Sequence, residues 1–228
     1  MDNDVRIGSF TVTAVPSINP IGLDLDAINA QLRGASPDTI VRWALSLGQR
    51  AMVTTSMGIN SAATLHSVIS VDPQVPVVWI DTGYNLKDTY IAAERIIERL
   101  VPNLYVYSPC LTSERISARL GGIPTLDERD KHDWFTRTIK LEPFQRALEE
   151  HRPDVWITGI RREETKQRKR LDIVSLDARG IVKVAPFFER SEAELEDYIR
   201  VHQLPTCTHY FDPTKVESGR ECGLHRAG

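Results

Sequence analysis

The sequence predicts an α/β protein: a doubly wound, mostly parallel sheet with helices on both faces and a mobile C-terminal tail. Two observations carry that prediction. Short apolar runs alternate along the chain with segments of helical period, the order that a parallel sheet imposes. The loops that follow those runs hold small, acidic and basic residues, and sheets of this kind bind ligands at the carboxyl ends of their strands.

The elements follow in order. Residues 12–22 read as an irregular arm. "LDLDAINAQLRG" places Leu25, Ile28 and Leu32 at helical spacing, with Gly34 as a stop. "SPDTIVRWALSLG" has Ser36 as a cap and Pro37 at the first helical position. Strands are predicted over 51–56, 76–81, 104–108 and 154–160, and helices over 61–70, 87–100 and 141–151. Residues 171–187 read as a hairpin turning near Ala178–Gly180. A last helix over 191–204 opens on a capping box from Ser191 to Glu194. The expected organisation is an N-terminal arm and helix over 1–35, an α/β domain over 36–204, and a flexible tail over 205–228.

Composition narrows the function classes. The 228 residues suit one α/β domain with a small appendage. A net charge of −3 gives no global basic field, so nucleic acid is not expected as a partner and any anion site must be a local cluster. No apolar run approaches the roughly 20 residues of a membrane helix, and "MDNDVRIGSF" lacks the features of a secretory leader. Three widely spaced cysteines do not make a disulfide framework, and a cytoplasmic location is expected.

Three strand ends hold the candidate binding residues. After the first strand, Ser56, Gly58, Asn60 and Ser61 lie where strand turns into helix. Glycine there admits an anion to the backbone, and the hydroxyls and the helix N-terminus add donors; the alternative is an ordinary turn. After the second strand, Asp81, Thr82 and Gly83 offer a carboxylate for a ribose hydroxyl or a base amine; the alternative is an Asx-type turn. After the fourth strand, residues 161–170 carry six basic and two acidic side chains, a local charge of +4. Arg161 and Arg162 sit just past the strand, where guanidinium groups can fork onto phosphate or sulfate oxygens; the alternative is a solvated run. Together the three ends describe a site for a nucleotide or another polyanion. A fourth feature is the chain's last segment, "GRECGLHRAG", which puts Cys222 six residues from the end, where a core is least expected.

"SMGINS", "DTGY", "LEPFQRAL", "GIRREE" and the terminal "ECGLH" occur in the order of the phosphoadenosine phosphosulfate (PAPS) reductase family, which the chain resembles from about residue 36 to its end. The resemblance implies an adenine-nucleotide α-hydrolase-like fold and a thioredoxin-dependent enzyme that reduces an activated sulfate to sulfite. It implies Cys222 as the nucleophile, with Arg220 and His225 favouring its thiolate. Ser56, Gly58, Asn60, Ser61, Asp81, Thr82, Gly83, Arg161, Arg162 and Arg168 would bind the substrate. Thioredoxin or glutaredoxin would be the electron donor, and a homodimer is implied, with residues 1–35 as a candidate partner surface.

Two departures from the family pattern stand out. Asn60 occupies the position where ATP-cleaving relatives carry aspartate, which opposes an ATP-dependent ligase. The stretch before "ECGLH" is short, which keeps a non-catalytic nucleotide-binding subunit open. No metal, flavin or iron–sulfur cluster is expected. Adenosine phosphosulfate (APS) reductases of the family commonly hold a four-iron cluster through a cysteine pair that would fall at Phe135 and Thr136. Three cysteines cannot supply four ligands and a nucleophile. PAPS is therefore the expected substrate, with Lys166, Arg168, Lys169 and Arg170 as candidates for its 3′-phosphate; cluster-free use of APS is the alternative. Cys110 is expected to be structural. Cys207 could ligate a metal only with His202 or His209.

Overall fold

A computed structural model of the chain describes residues 22–48 and 50–215. Arg220, Cys222 and His225 lie outside these residues. The described chain runs α1 (Leu25–Leu32), α2 (Pro37–Ser46), β1 (Ala51–Thr55), α3 (Ser61–Ile69), β2 (Val77–Ile80), α4 (Lys87–Leu100), β3 (Leu104–Tyr107), α5 (Ser113–Leu120), α6 (Arg129–Thr136), α7 (Glu142–His151), β4 (Val155–Ile157), β5 (Val174–Leu176), β6 (Val182–Val184) and α8 (Glu192–Val201). The strand order is β3-β2-β1-β4-β6-β5, parallel except for β5 against β6.

Period-two alternation explains why both faces are covered. Val53, Val77, Trp79, Val155 and Ile157 point to one face and meet α2, α3, α4 and α8 through Ile40, Leu65, Ile96 and Leu195. Met52, Val78, Ile80 and Trp156 point to the other and meet Phe144, Ala147 and Leu148 of α7. Trp156, fully buried, has its indole N–H satisfied by Thr54 Oγ1 at 2.8 Å. The expected doubly wound sheet is thus present.

Local signals behave as read. Ser36 accepts from the Thr39 amide, and Ser191 and Glu194 close the capping box. The hairpin turns on Asp177, whose Oδ1 accepts from Arg179 and Ile181, with Gly180 at φ +81°. Helix α1, grouped in the sequence reading with an outer arm, packs on the domain: Leu32 joins the core, and the Asn29 amide bonds both N–H and C=O of Val174, on β5 at the end of the sheet.

Helices α5 and α6 were not expected. They surround a satellite cluster of Ile116, Phe135 and Ile139, covered by Tyr84 and Trp134. Between α6 and α7 the helix widens into a π-helical turn, Arg137–Leu141. The start of the expected tail makes contacts with the α/β domain. Residues 205–215 form a strap that reaches from the turn after β1, through the start of α4, to the π-helical turn.

Candidate functional site

The chain leaves β1, builds β2 and β3 on one side, and returns to place β4 on the other, so the topological switch lies between β1 and β4. At the end of β1, Met57 is buried at φ +52°, a left-handed conformation for a non-glycine residue, with its amide on Thr55 Oγ1 at 3.0 Å. The turn therefore takes its left-handed residue at Met57, not at Gly58. Gly58 is needed for space: a Cβ there would sit 3.1 Å from the Tyr210 ring and 3.2 Å from Ser56 Oγ. Ser61 opens α3, and its amide bonds Gly58 O at 3.0 Å.

Asn60 stands at the α3 N-cap without capping it by its side chain. Its Nδ2 donates instead to Glu192 Oε1 on α8 at 3.1 Å. The other carboxylate oxygen of Glu192 accepts from Arg161 Nη2. The β1 cradle and the β4 exit are therefore joined through one carboxylate. Gly159 lets β4 approach α3, since a Cβ there would lie 3.0 Å from Thr64 Oγ1.

The arginines expected at this end divide. Arg161 is nearly buried, with its amide on Glu164 Oε2 at 2.9 Å. Arg168 is buried and paired with the same Glu164 oxygen. Arg162 lies over the Phe188 ring and pairs with Glu189 at 3.3 Å and Asp172 at 3.5 Å. Those two carboxylates also receive Arg33 and the Gly34 amide, so the partners of Arg162 belong to the α1 side and not to the cradle. Lys166, Lys169 and Arg170 are exposed.

At the end of β2, Asp81 Oδ1 accepts from the Gly83 amide at 3.1 Å, from Asn85 Nδ2 at 3.0 Å and from the Tyr90 hydroxyl at 2.8 Å. The Asx-type turn does form, with Gly83 at φ +75°. Burial, and then the Asp81 carboxylate, push the Tyr90 hydroxyl up to about 12. Thr82 is buried and accepts from the Tyr84 amide at 3.3 Å.

The strap packs on the turn after β1 and on the start of α4. Thr206 Oγ1 donates to Ile59 O at 2.5 Å, and the Thr208 and His209 amides both bond Asp88 Oδ2 at the start of α4. Tyr210 covers Gly58. Asp212 then meets Lys140 of the π-helical turn at 2.5 Å in a buried ion pair. Burial pushes the Asp212 carboxyl up, but the Lys140 charge and the Thr214 hydrogen bonds outweigh it and hold the carboxyl below its ordinary value. Cys207 is buried against Met57 O, and burial pushes its thiol up. Cys110 does not behave as a structural cysteine, because it is exposed. Among the described residues no three His, Cys, Asp or Glu side chains come together as a metal site, and no helix is long and apolar enough to cross a membrane.

The profile of the phosphoadenosine phosphosulfate reductase domain matches residues 50–213. The chain belongs to this family. The PAPS reductase family segment thus contains the cradle, the Asp81 turn, Arg161 and the strap as far as Pro213, and ends before Cys222. A Xanthomonas oryzae protein named phosphoadenosine 5′-phosphosulfate reductase is 37% identical, over 94% of this chain and 99% of its own length. A Synechocystis protein of the same name is 35% identical, over 86% of this chain and 79% of its own. The crystal structure of phosphoadenylyl-sulfate reductase from Candida auris, in a phosphate complex, superposes with a TM-score of 0.69 at 25% identity, covering 80% of this chain and 87% of that one.

Glu164, Glu192, Lys140, Tyr210 and Asp212 were not singled out in the sequence. Glu192 and Asn60 are separated by 132 positions, and no local pattern announces their contact. Lys140 carried a signal only in its place beside "LEP".

Proposed function

We propose that this protein reduces PAPS to sulfite and adenosine 3′,5′-bisphosphate in sulfate assimilation, with thioredoxin or glutaredoxin as donor. The observation that carries the reading is the 37% identity, over nearly the whole of both chains, to a relative named for this activity. The "ECGLH" segment supports it, because it supplies the cysteine that the family resemblance implies as the nucleophile.

In the first step the Cys222 thiolate attacks the sulfuryl sulfur. A new S–S bond forms, the S–O bond to phosphate breaks, and the bisphosphate leaves with the electron pair. Positive charge at the crevice favours the leaving phosphate, and Arg161 is the residue best placed to supply it. In the second step a donor thiolate attacks Cys222 Sγ. Sulfite leaves, and a mixed disulfide forms. The donor's second thiol resolves that disulfide, releasing the Cys222 thiolate and oxidised donor. The dithiol supplies both electrons, so neither flavin nor iron–sulfur cluster is required. The first step needs the Cys222 sulfur at an anion site and the second needs it within reach of the donor, so the nucleophile has to be presented in two settings.

The test is sulfite release from PAPS with thioredoxin and its reductase. Cys222→Ser should abolish sulfite while bisphosphate binding, read by calorimetry, stays within about threefold. Retained turnover in that variant would remove Cys222 from the mechanism. A Cys110→Ser, Cys207→Ser double variant should keep most of its thioredoxin-dependent turnover, because the resolving thiol comes from outside. Loss of the second step alone would assign that thiol to this chain.

A further inference from the structure

We infer that Glu192 is a positioning residue for the phosphate end of the bound nucleotide, fixing Asn60 and Arg161 relative to each other. The inference rests on the reading above for the identity of the ligand. Its geometry is independent of that reading. One carboxylate oxygen takes Asn60 Nδ2, and the other takes Arg161 Nη2. Asn60 comes from the turn after β1 and Arg161 from the exit of β4, the two strands that flank the topological switch.

Both groups keep an atom unspent. Asn60 Oδ1 and Arg161 Nε are buried and have no hydrogen-bond partner among the described residues. The buried Arg161 Nε–H is a donor that a phosphate oxygen can take, whereas the Asn60 Oδ1 acceptor needs a donor, a water or a ligand N–H or O–H, to offset its desolvation. Glu192 holds the opposite end of each group, so it sets where those two atoms lie.

The asymmetry of burial argues against a role in stability alone. The Arg161 side chain is 8% exposed, whereas that of Glu192 is 50% exposed. A half-hydrated carboxylate adds little to folding, and helix α8 keeps its start through Ser191 and Glu194 without it. What Glu192 supplies is two acceptors for two donors. Glutamine has one acceptor and turns an amide N–H against the other donor, so Glu192→Gln should lose the bridge while keeping shape.

The experiment measures the Kd of adenosine 3′,5′-bisphosphate by calorimetry, KM and kcat with PAPS, and Tm, in Glu192→Gln, Glu192→Ala, Arg161→Ala and the Glu192→Ala, Arg161→Ala pair. Kd and KM should rise about tenfold in both Glu192 variants, the lower end of what removing a supporting partner costs at metal sites. Turnover at saturation should also fall, by less than in Arg161→Ala, because Arg161 supplies charge to the leaving phosphate, and Tm should stay within a few degrees. In the Arg161→Ala background the Glu192 change should add less than it does alone, because the two act as a unit. Unchanged Kd and KM, or full additivity with Arg161→Ala, would overturn the inference. If the wild type makes no sulfite and the Glu192 variants still bind the bisphosphate about tenfold more weakly, the reductase reading falls and the role of Glu192 stands. If the wild type makes sulfite and the variants bind normally, the role of Glu192 falls alone. A wild type that does neither overturns both.

Discussion

Tyr210 lies against Gly58 so closely that a single added methyl group would meet its ring at 3.1 Å. The first residue belongs to the strap and the second to the turn between β1 and α3. The contact couples the strap to the cradle: a side chain at position 58 would require the Tyr210 ring or Ser56 Oγ to give by a few tenths of an ångström. Gly58→Ala leaves the backbone conformation accessible, so its effect is confined to displacing Tyr210 or Ser56. Amides 206–212 should exchange faster with solvent, and affinity for adenosine 3′,5′-bisphosphate should fall by about 1–2 kcal/mol, the scale of one mispacked buried contact. Unchanged exchange and unchanged affinity would show that the ring moves aside at no cost.

The strap's other anchor is electrostatic. The Asp212 and Lys140 side chains are 5% and 9% exposed. Removing one member of such a pair leaves a buried charge, typically at a cost of about 3–5 kcal/mol. The strap can avoid much of that cost by lifting Asp212 into water, so Lys140→Met should loosen residues 206–214 and lower Tm by less than about 4 °C. The pH dependence has a definite sign. A carboxyl held below its ordinary value of 3.8 in the folded state contributes stability above that value and loses it as pH falls through the lowered one. In Lys140→Met the Asp212 carboxyl should titrate higher and the strap should detach at higher pH, read by NMR of the Asp212 carboxyl and by hydrogen exchange. An acid midpoint identical to wild type would remove the pair as the anchor.

Arg161 and Arg162 are neighbours in sequence and should not be equivalent in function. Arg161 is nearly buried and shares Glu192 with the cradle. Arg162 is 40% exposed in its side chain and is engaged by Phe188, Asp172 and Glu189. Arg161→Lys keeps the charge and loses the planar fork, so kcat/KM should drop by roughly 2–4 kcal/mol. Arg162→Lys should cost less than about 1 kcal/mol in kcat/KM. Equal losses would mean that Arg162 leaves its carboxylates for the substrate.

Much of this architecture was legible. Strands such as "PVVWID" are apolar on both faces because helices cover both, and caps at Ser36 and Ser191 are chemical signals that need no tertiary context. The loops after β1, β2 and β4 were legible as candidate site loops because sheets of this topology take ligands at the carboxyl ends of their strands. The region 111–140 was not read, although Thr112 caps α5 and Gly121 ends it. Its helices bury few apolar residues and form a separate small cluster, so their periodicity is faint. The charge run 161–170 read as a uniform basic patch. Three of its arginines are ion-paired with Glu164, Glu189, Asp172 and Glu192, and two of those carboxylates come from after β6, a long-range pairing that composition cannot show.

The same division of charge bears on which sulfonucleotide is used. PAPS differs from APS by a 3′-phosphate, so a preference for PAPS needs cations with charge to spare. Arg168, one of the four candidates, is buried with Glu164. Lys169 and Arg170 are exposed on the second of two short 3₁₀ turns after β4, Arg162–Glu164 and Arg168–Arg170, and Lys166 is exposed on the link between them. The exposed three are therefore the expected 3′-phosphate contacts. Each solvated contact of this kind contributes about 0.2–1 kcal/mol, so Lys166→Ala, Lys169→Ala, Arg170→Ala together should lower kcat/KM for PAPS by about tenfold and leave the value for APS within about twofold. The wild type should show the higher kcat/KM with PAPS, and the selectivity should weaken with added salt because exposed charges are screened. A wild type that prefers APS overturns the substrate assignment. A triple variant that loses both substrates equally shows that these residues read the shared part of the nucleotide instead of the 3′-phosphate.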